Sequence, residues 1–248
     1  SDCPSSQDKV YGGYVSAGNP NAGPNTGTGS NIMCLSSEPN LDQFSLNDQG
    51  GPDAFATEYV DSSATVGTHL SVLAGYDARC SLCVSPERPW SIMIPGRNDC
   101  GHSDFTMDYK GLLMSENFNI ERSEYVCVDL PTTTSAASEP QVAEGTNADN
   151  SISSNWYPVE DWLSGGLPSP YIDNQEISCA QCSTAAGPTY VRWGRSTCPT
   201  ASSLVYAGHG AGGGLATGTS GSGYNYLCMH GSPQYSVSSP ATDDSRAA

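Results

Sequence analysis

The residues best suited to do chemistry in this chain are its ten cysteines: Cys3, Cys34, Cys80, Cys83, Cys100, Cys127, Cys179, Cys182, Cys198 and Cys228. An even number of cysteines in a Ser/Gly/Pro-rich chain with only two lysines, Lys9 and Lys110, points to disulfides formed in an oxidising, extracellular setting. Cys80/Cys83 and Cys179/Cys182 each look like half of a zinc site. They lie 96 residues apart, however, where a zinc ribbon separates its pairs by about 15–20. We therefore expect all ten to be oxidised, with no metal site and no cofactor. The four histidines, His69, His102, His209 and His230, show no His-x-x-x-His or His-Glu spacing, and no Gly-x-Ser-x-Gly elbow is present. No catalytic residue is nominated, and an enzyme is not expected. Gly208-His-Gly-Ala-Gly-Gly213 fits a Gly-x-Gly-x-x-Gly pattern, but more loop follows where a dinucleotide site needs a helix. It reads as a flexible loop. The acids are scattered without a calcium-loop pattern and read as a solvated surface, with weak surface calcium binding as a lesser reading.

The cysteines are spaced as a repeat. Cys3, Cys34, Cys80 and Cys83 recur as Cys100, Cys127, Cys179 and Cys182, then begin again as Cys198 and Cys228, with offsets of 97 and 98 residues at the first position. Tyr-x-Gly follows each first cysteine: Tyr11-Gly12-Gly13, Tyr109-Lys110-Gly111 and Tyr206-Ala207-Gly208. Gly96-Arg97 and Gly194-Arg195 precede the second and third copies. Each copy divides into an A half, from first to second cysteine, and a B half ending in Cys-x-x-Cys. The chain then reads A-B-A-B-A. Repeat 1 spans 1–97 (A half 1–46, B half 47–97), and repeat 2 spans 98–195 (A half 98–135, B half 136–195). Residues 196–235 form a truncated third A half, and 236–248 a disordered tail. Because the third copy holds only two cysteines, Cys3–Cys34, Cys100–Cys127 and Cys198–Cys228 are the expected equivalent disulfides. The Cys-x-x-Cys pairs then close locally or cross-link the B halves. The chain begins Ser1-Asp2-Cys3, which reads as a processed chain, released by a trypsin-like cut after Arg or begun arbitrarily.

Several segments carry a family resemblance: Ile92-Met-Ile-Pro-Gly-Arg-Asn-Asp-Cys100, Ser123-Glu-Tyr-Val-Cys-Val-Asp129, Trp156-Tyr-Pro-Val-Glu160, Tyr190-Val-Arg-Trp-Gly-Arg-Ser-Thr-Cys-Pro199 and Tyr224-Asn-Tyr-Leu-Cys228. Together with Tyr109–Ser115 they resemble the cysteine-rich non-collagenous domain of the short-chain, spongin-type collagens of sponges and related secreted proteins of marine invertebrates. The order of halves here is shifted or extended relative to that family. Ser115-Glu-Asn-Phe-Asn-Ile120 stands where family members often carry histidines. No Gly-X-Y tract is present, so no triple helix forms within the chain.

Short β-branched or aromatic runs bounded by Gly, Pro or Asn predict strands over Asp8–Tyr14, Asn31–Leu35, Thr68–Leu73, Trp90–Ile94, Phe105–Leu113, Glu124–Asp129, Thr189–Trp193, Leu204–Ala207 and Tyr224–Met229. No long window has a 3.6-residue apolar period. Residues 19–30, 131–155 and 210–223 read as loops. The fold class expected is all-β: a short-stranded, disulfide-stapled tandem repeat without long helices.

Composition bounds the partners. The chain has 248 residues and a net charge of −17, which excludes nucleic acid and disfavours anionic membranes. No apolar stretch is long enough to span a bilayer, and no Asn-x-Ser/Thr sequon occurs. Polarity comes from 36 Ser and 17 Thr rather than from charge. The expectation is a secreted structural protein of a sponge-like skeleton, in a fibre, filament or mineral-associated lattice (silica included), whose hydroxyls would make the mineral contacts. Its partner is itself, with extracellular matrix or a mineral surface beyond. Leu204, Val205, Tyr206, Tyr226 and Leu227 of the terminal A half are the candidate assembly residues, since no B half follows to cover them. A lectin-like glycan-binding or adhesion protein is the alternative.

Overall fold

A computed structural model describes residues 3–5, 7–18, 31–39, 54–59, 73, 75–115, 124–129, 154–161, 168–173, 175–212 and 225–235. The described residues contain eleven strands and no helix: β1 (Asp8–Gly18), β2 (Met33–Ser36), β3 (Ala54–Tyr59), β4 (Arg79–Val84), β5 (Trp90–Pro95), β6 (Thr106–Ser115), β7 (Val126–Asp129), β8 (Ser154–Pro158), β9 (Ser178–Thr184), β10 (Gly208–Ala211) and β11 (Leu227–His230). Nine strands form one curled sheet along the path β2-β1-β3-β8-β6-β9-β5, with β4 also on β1 and β7 also on β6; β10 and β11 pair separately. All pairings are antiparallel except β3 with β8.

Two strands, β1 and β6, organise the sheet. Each is flanked by the strand that carries its second cysteine (β2 or β7) and by its Cys-x-x-Cys strand (β4 or β9). Parallel pairing of Thr57–Tyr59 with Ser154–Trp156 joins the two groups. The core lies over that junction, where Val15, Tyr59, Leu112, Val128 and Trp156 pack together and the Tyr59 and Trp156 rings meet edge to face at 5.7 Å. A second cluster covers the other face of β6, with Leu113, Tyr171, Ile177, Cys179 and Met229. Strand β6 is therefore buried on both faces at its end, and so is β9, whose residues are nearly all buried. Strand β4 has the same Cys-x-x-Cys spacing but sits at the rim, with Leu82 and Val84 exposed.

The structure differs from several sequence expectations. Both Cys-x-x-Cys segments are strands; in Ser178–Thr184, where small polar residues dominate, burial between β5 and β6 outweighs the low β-propensity. Thr189–Trp193 and Leu204–Ala207 have strand-like composition but form no ladder. Residues 210–211 belong to β10 and 154–155 to β8, not to loops. Acids expected on a solvated surface are buried at Glu58, Glu160, Asp161 and Glu176. Residues 19–30, the run before Leu73 and the tail 236–248 lie outside the described residues.

Candidate functional site

The disulfides are Cys3–Cys83, Cys34–Cys80, Cys100–Cys182 and Cys127–Cys179, while Cys198 and Cys228 are unbonded. This corrects the expected Cys3–Cys34, Cys100–Cys127 and Cys198–Cys228 bonds. Strand register supplies the reason. Pairing of β1 with β4 sets Cys83 against Lys9, at the end of β1 near Cys3, and Cys80 against Gly13, beside the Val15–Cys34 pair. First therefore joins fourth and second joins third, across the middle strand. Strands β6, β7 and β9 repeat the arrangement, with Cys182 against Met107, Cys179 against Gly111 and Cys127 against Leu113. Both middle strands carry a register shift just before the tyrosine, at Val10 and at Asp108. The bonds link residues 46 to 82 apart, and each stabilises by roughly 4–4.5 kcal/mol in the chain-entropy model. Because one bond of each pair encloses the other, these contributions do not add.

A disulfide that crosses a strand forces the sheet to fold over it. Two strands separated by a third lie about 9.6 Å apart in a flat sheet. The Cα atoms of Cys34 and Cys80 are 5.7 Å apart, and those of Cys127 and Cys179 are 5.6 Å apart. Glycine in the middle strand makes that approach possible. A Cβ on Gly13 would stand 1.6 Å from the Leu35 carbonyl oxygen, and one on Gly111 would stand 1.7 Å from that of Val128. The tyrosine two residues earlier closes the same corner. The Tyr11 hydroxyl donates to the Cys34 carbonyl at 2.9 Å, and the Tyr109 hydroxyl to the Cys127 carbonyl at 3.0 Å. Burial, with Asp129 and Asp108 nearby, pushes the Tyr109 hydroxyl up to about 12, so it stays a donor.

The third segment has the same corner without the crossing strand. The Tyr206 hydroxyl donates to the Cys228 carbonyl at 2.8 Å, and a Cβ on Gly208 would lie 1.7 Å from the Met229 carbonyl oxygen. Gly208 pairs with His230 as Gly111 pairs with Asp129, each two residues past the second cysteine. Beside this corner is a cavity of about 360 Å³. Thr189–Arg192 line one part of it and Ser203–Gly208 another; Cys198 and Cys228 are both among its lining residues. Burial pushes the Cys228 thiol above its ordinary value, so it is protonated near neutral pH.

This segment docks on β5 and β9. The Gln234 amide donates to the Gly96 carbonyl at 2.8 Å, the Tyr171 hydroxyl donates to the Met229 and His230 carbonyls, and Ile177 bridges Tyr235. The Tyr235 hydroxyl donates to Asp161 Oδ2 at 2.5 Å. Burial, partly offset by that bond and reinforced by Asp173, raises the Asp161 carboxyl to about 6. Sequence inspection missed this pair because nothing in either residue's flanks signals burial.

The histidines are dispersed. His102 lies at the cavity beside Asp104, His209 stacks edge-on to Tyr171, and His230 lies 5.1 Å from the Tyr206 ring. His69 lies outside the described residues. Gly208–Ala211 is a paired strand, so its backbone does not form a phosphate loop. Among the described residues no group of three or more His, Cys, Asp or Glu is placed to hold a metal ion. Of the candidate assembly residues, Leu204 and Tyr226 are exposed, at 46% and 77%. Val205 and Tyr206 pack against the Ile94–Cys100 cluster, and Leu227 against the Leu113 cluster. Four disulfides fit an extracellular protein, and among the described residues no helix is long and apolar enough to cross a membrane. Comparison with protein-family models, curated proteins and solved structures found no match.

Proposed function

We propose that the chain is a secreted structural protein built from tandem copies of one cystine-braced β module, and that it associates with copies of itself in an extracellular scaffold. The observation that carries the reading is the corner described above. Its Tyr hydroxyl bond, its close-approach glycine and its strand register recur in all three segments. The first two segments share the same crossed disulfides. Bracing spent on rigidity suits a load-bearing or lattice-forming role. The resemblance to the cysteine-rich domain of spongin-type collagens agrees, and the Ser/Thr-rich composition suits hydroxyl contacts to matrix or mineral, silica included.

Exposed Tyr190, Trp193 and Tyr226 favour self-association through the third segment, since ring-rich surfaces bury large area at low entropic cost. At −17 net charge, copies repel over a Debye length of about 8–10 Å at physiological salt, and added salt shortens that range. Sedimentation from low to moderate salt tests the reading: the sedimentation coefficient rises with salt and concentration. A strict monomer throughout would overturn it. The same aromatics give a second reading, glycan adhesion, which a glycan array would favour by showing selective binding that Trp193→Ala abolishes.

A further inference from the structure

We infer that the third segment is an open receptor for one more Cys-x-x-Cys strand, supplied by polypeptide outside residues 1–248 and locked in place by disulfides to Cys198 and Cys228. The inference rests on the module reading above and adds a binding site to it.

The third segment aligns with the second position by position. In the second, β9 runs between β5 and β6, with Cys182 opposite Ile92 on one side and Met107 on the other, and Cys179 opposite Pro95 and Gly111. Counting back from Cys198 as β5 stands to Cys100, Ile92–Pro95 corresponds to Tyr190–Trp193. Counting from the Tyr-x-Gly motif, Met107–Gly111 corresponds to Leu204–Gly208. Gly96 and Gly194, at matching places, both have positive φ (86° and 76°), a conformation that favours glycine. The two edges that would flank an inserted strand are therefore present, and Tyr190–Arg192 of one and Leu204–Gly208 of the other line the 360 Å³ cavity.

Three independent features show that the strand is missing there. First, Tyr190–Trp193 and Leu204–Ala207 have strand composition but form no ladder. Secondly, apolar groups that the strand would cover face solvent: Pro95 is buried in β5, whereas Trp193 at the matching place is 54% exposed, and Tyr190, at the place of half-buried Ile92, is 62% exposed. Thirdly, the two thiols that would bond the strand are unbonded and at the cavity. By equivalence with Cys100–Cys182 and Cys127–Cys179, Cys198 takes the second cysteine of the incoming pair and Cys228 the first. A second copy of this chain does not supply the strand in its native state, because Cys80, Cys83, Cys179 and Cys182 are already in disulfides. The occupant is an extended segment with Cys-x-x-Cys flanked by small residues, as in Ser178–Thr184.

Locking needs an oxidant, and a small disulfide such as oxidised glutathione supplies it. Each new bond forms from two thiols, which lose two protons and two electrons; one oxidised glutathione becomes two reduced glutathiones.

The test mixes the full chain, Cys198 and Cys228 reduced, with a synthetic peptide of sequence Glu-Ile-Ser-Cys-Ala-Gln-Cys-Ser-Thr-Ala in a glutathione redox buffer. The expected product has the mass of chain plus peptide less four hydrogens. Fragment mapping places Cys228 on the first peptide cysteine and Cys198 on the second. Yield exceeds tenfold that of a peptide with Ala and Ser either side of the first cysteine replaced by proline, which removes ladder donors. Cys228→Ser leaves a single link, through Cys198. Capture no better than the proline peptide, reversed pairing, or a Cys198–Cys228 bond formed in preference would overturn the receptor. Hydrogen exchange at the Gly231 amide, which donates to the Ala207 carbonyl at 2.9 Å, and at the His209 and Met229 amides of the same hairpin, without peptide, separates the two levels. Protection with failed capture overturns the receptor alone, and loss of protection overturns the module reading beneath it.

Discussion

On the module reading proposed above, strand β9 and the cavity beside Cys228 occupy corresponding places and differ in the presence of a Cys-x-x-Cys strand. Where the strand is present, Met107–Gly111 and Ile92–Pro95 are ordered into ladders on its two edges, and both cysteines are fully buried. Where it is lacking, segments of similar composition stay irregular, Tyr190 and Trp193 face solvent and the thiols remain unbonded. The corner itself survives in both places: the tyrosine still reaches the carbonyl and the glycine still sits under the neighbouring strand. The hairpin corner is thus the part of the module that closes by itself. The crossing strand adds the cross-brace and makes strands of its neighbours.

The glycines break this comparison most severely. Gly111→Ala places a Cβ 1.7 Å from the Val128 carbonyl oxygen, inside a sheet fixed by Cys127–Cys179 on either side. It is expected to prevent folding of the central sheet, read as loss of soluble, disulfide-matched protein. Gly208→Ala meets the same contact at Met229 but outside the main sheet. It is expected to disrupt β10–β11 and leave the main sheet intact, with amide exchange confined to residues near 208–211 and 227–230. Equal effects of the two substitutions would remove the distinction between braced and open corners.

The cystines come next. Replacing Cys127 and Cys179 together by Ala is expected to cost roughly 4 kcal/mol or less, given the enclosing Cys100–Cys182 bond. Replacing Cys198 and Cys228 together by Ser is expected to change stability by less than about 1 kcal/mol, since no bond is lost. Chemical denaturation of both variants checks the contrast.

A smaller effect concerns the seam that holds the third segment on the second. The Asp161 carboxyl is raised from 3.8 to about 6 in the folded chain. A raised carboxyl binds its proton more tightly folded than unfolded. Its stabilising contribution is therefore complete below about 4 and is lost as pH rises through about 6. At about 1.4 kcal/mol per unit, the swing is at most about 3 kcal/mol. Melting temperature followed from pH 4 to pH 7 should fall through this contribution, and Asp161→Asn should flatten that part of the profile. An unchanged profile in the variant would assign the titration elsewhere.

Much of the main sheet could be read from residues that pack as their composition suggests. Asp8–Tyr14, Trp90–Ile94, Phe105–Leu113 and Glu124–Asp129 all lie on or overlap strands. The repeat of Tyr-x-Gly marked the corner, although its purpose needed the structure, because the carbonyl above Gly111 comes from a strand 17 residues further on. The Cys-x-x-Cys strands were illegible: Ser-Cys-Ala-Gln-Cys-Ser-Thr has almost no β-branched or aromatic content and is a strand because both edges and both faces are occupied. The reverse failure occurred at Thr189–Trp193, which has the right residues and no partner. Pairing of cysteines failed for a related reason. The truncated third copy suggested a bond within the A half, but register shows that the A-half cysteines each await a partner in the B half.

Disulfide mapping of the unreduced chain, alkylated first to mark free thiols, tests the account most directly. It predicts Cys3–Cys83, Cys34–Cys80, Cys100–Cys182 and Cys127–Cys179, with label on Cys198 and Cys228 alone. A Cys3–Cys34, Cys100–Cys127 or Cys198–Cys228 bond in the native chain would contradict it.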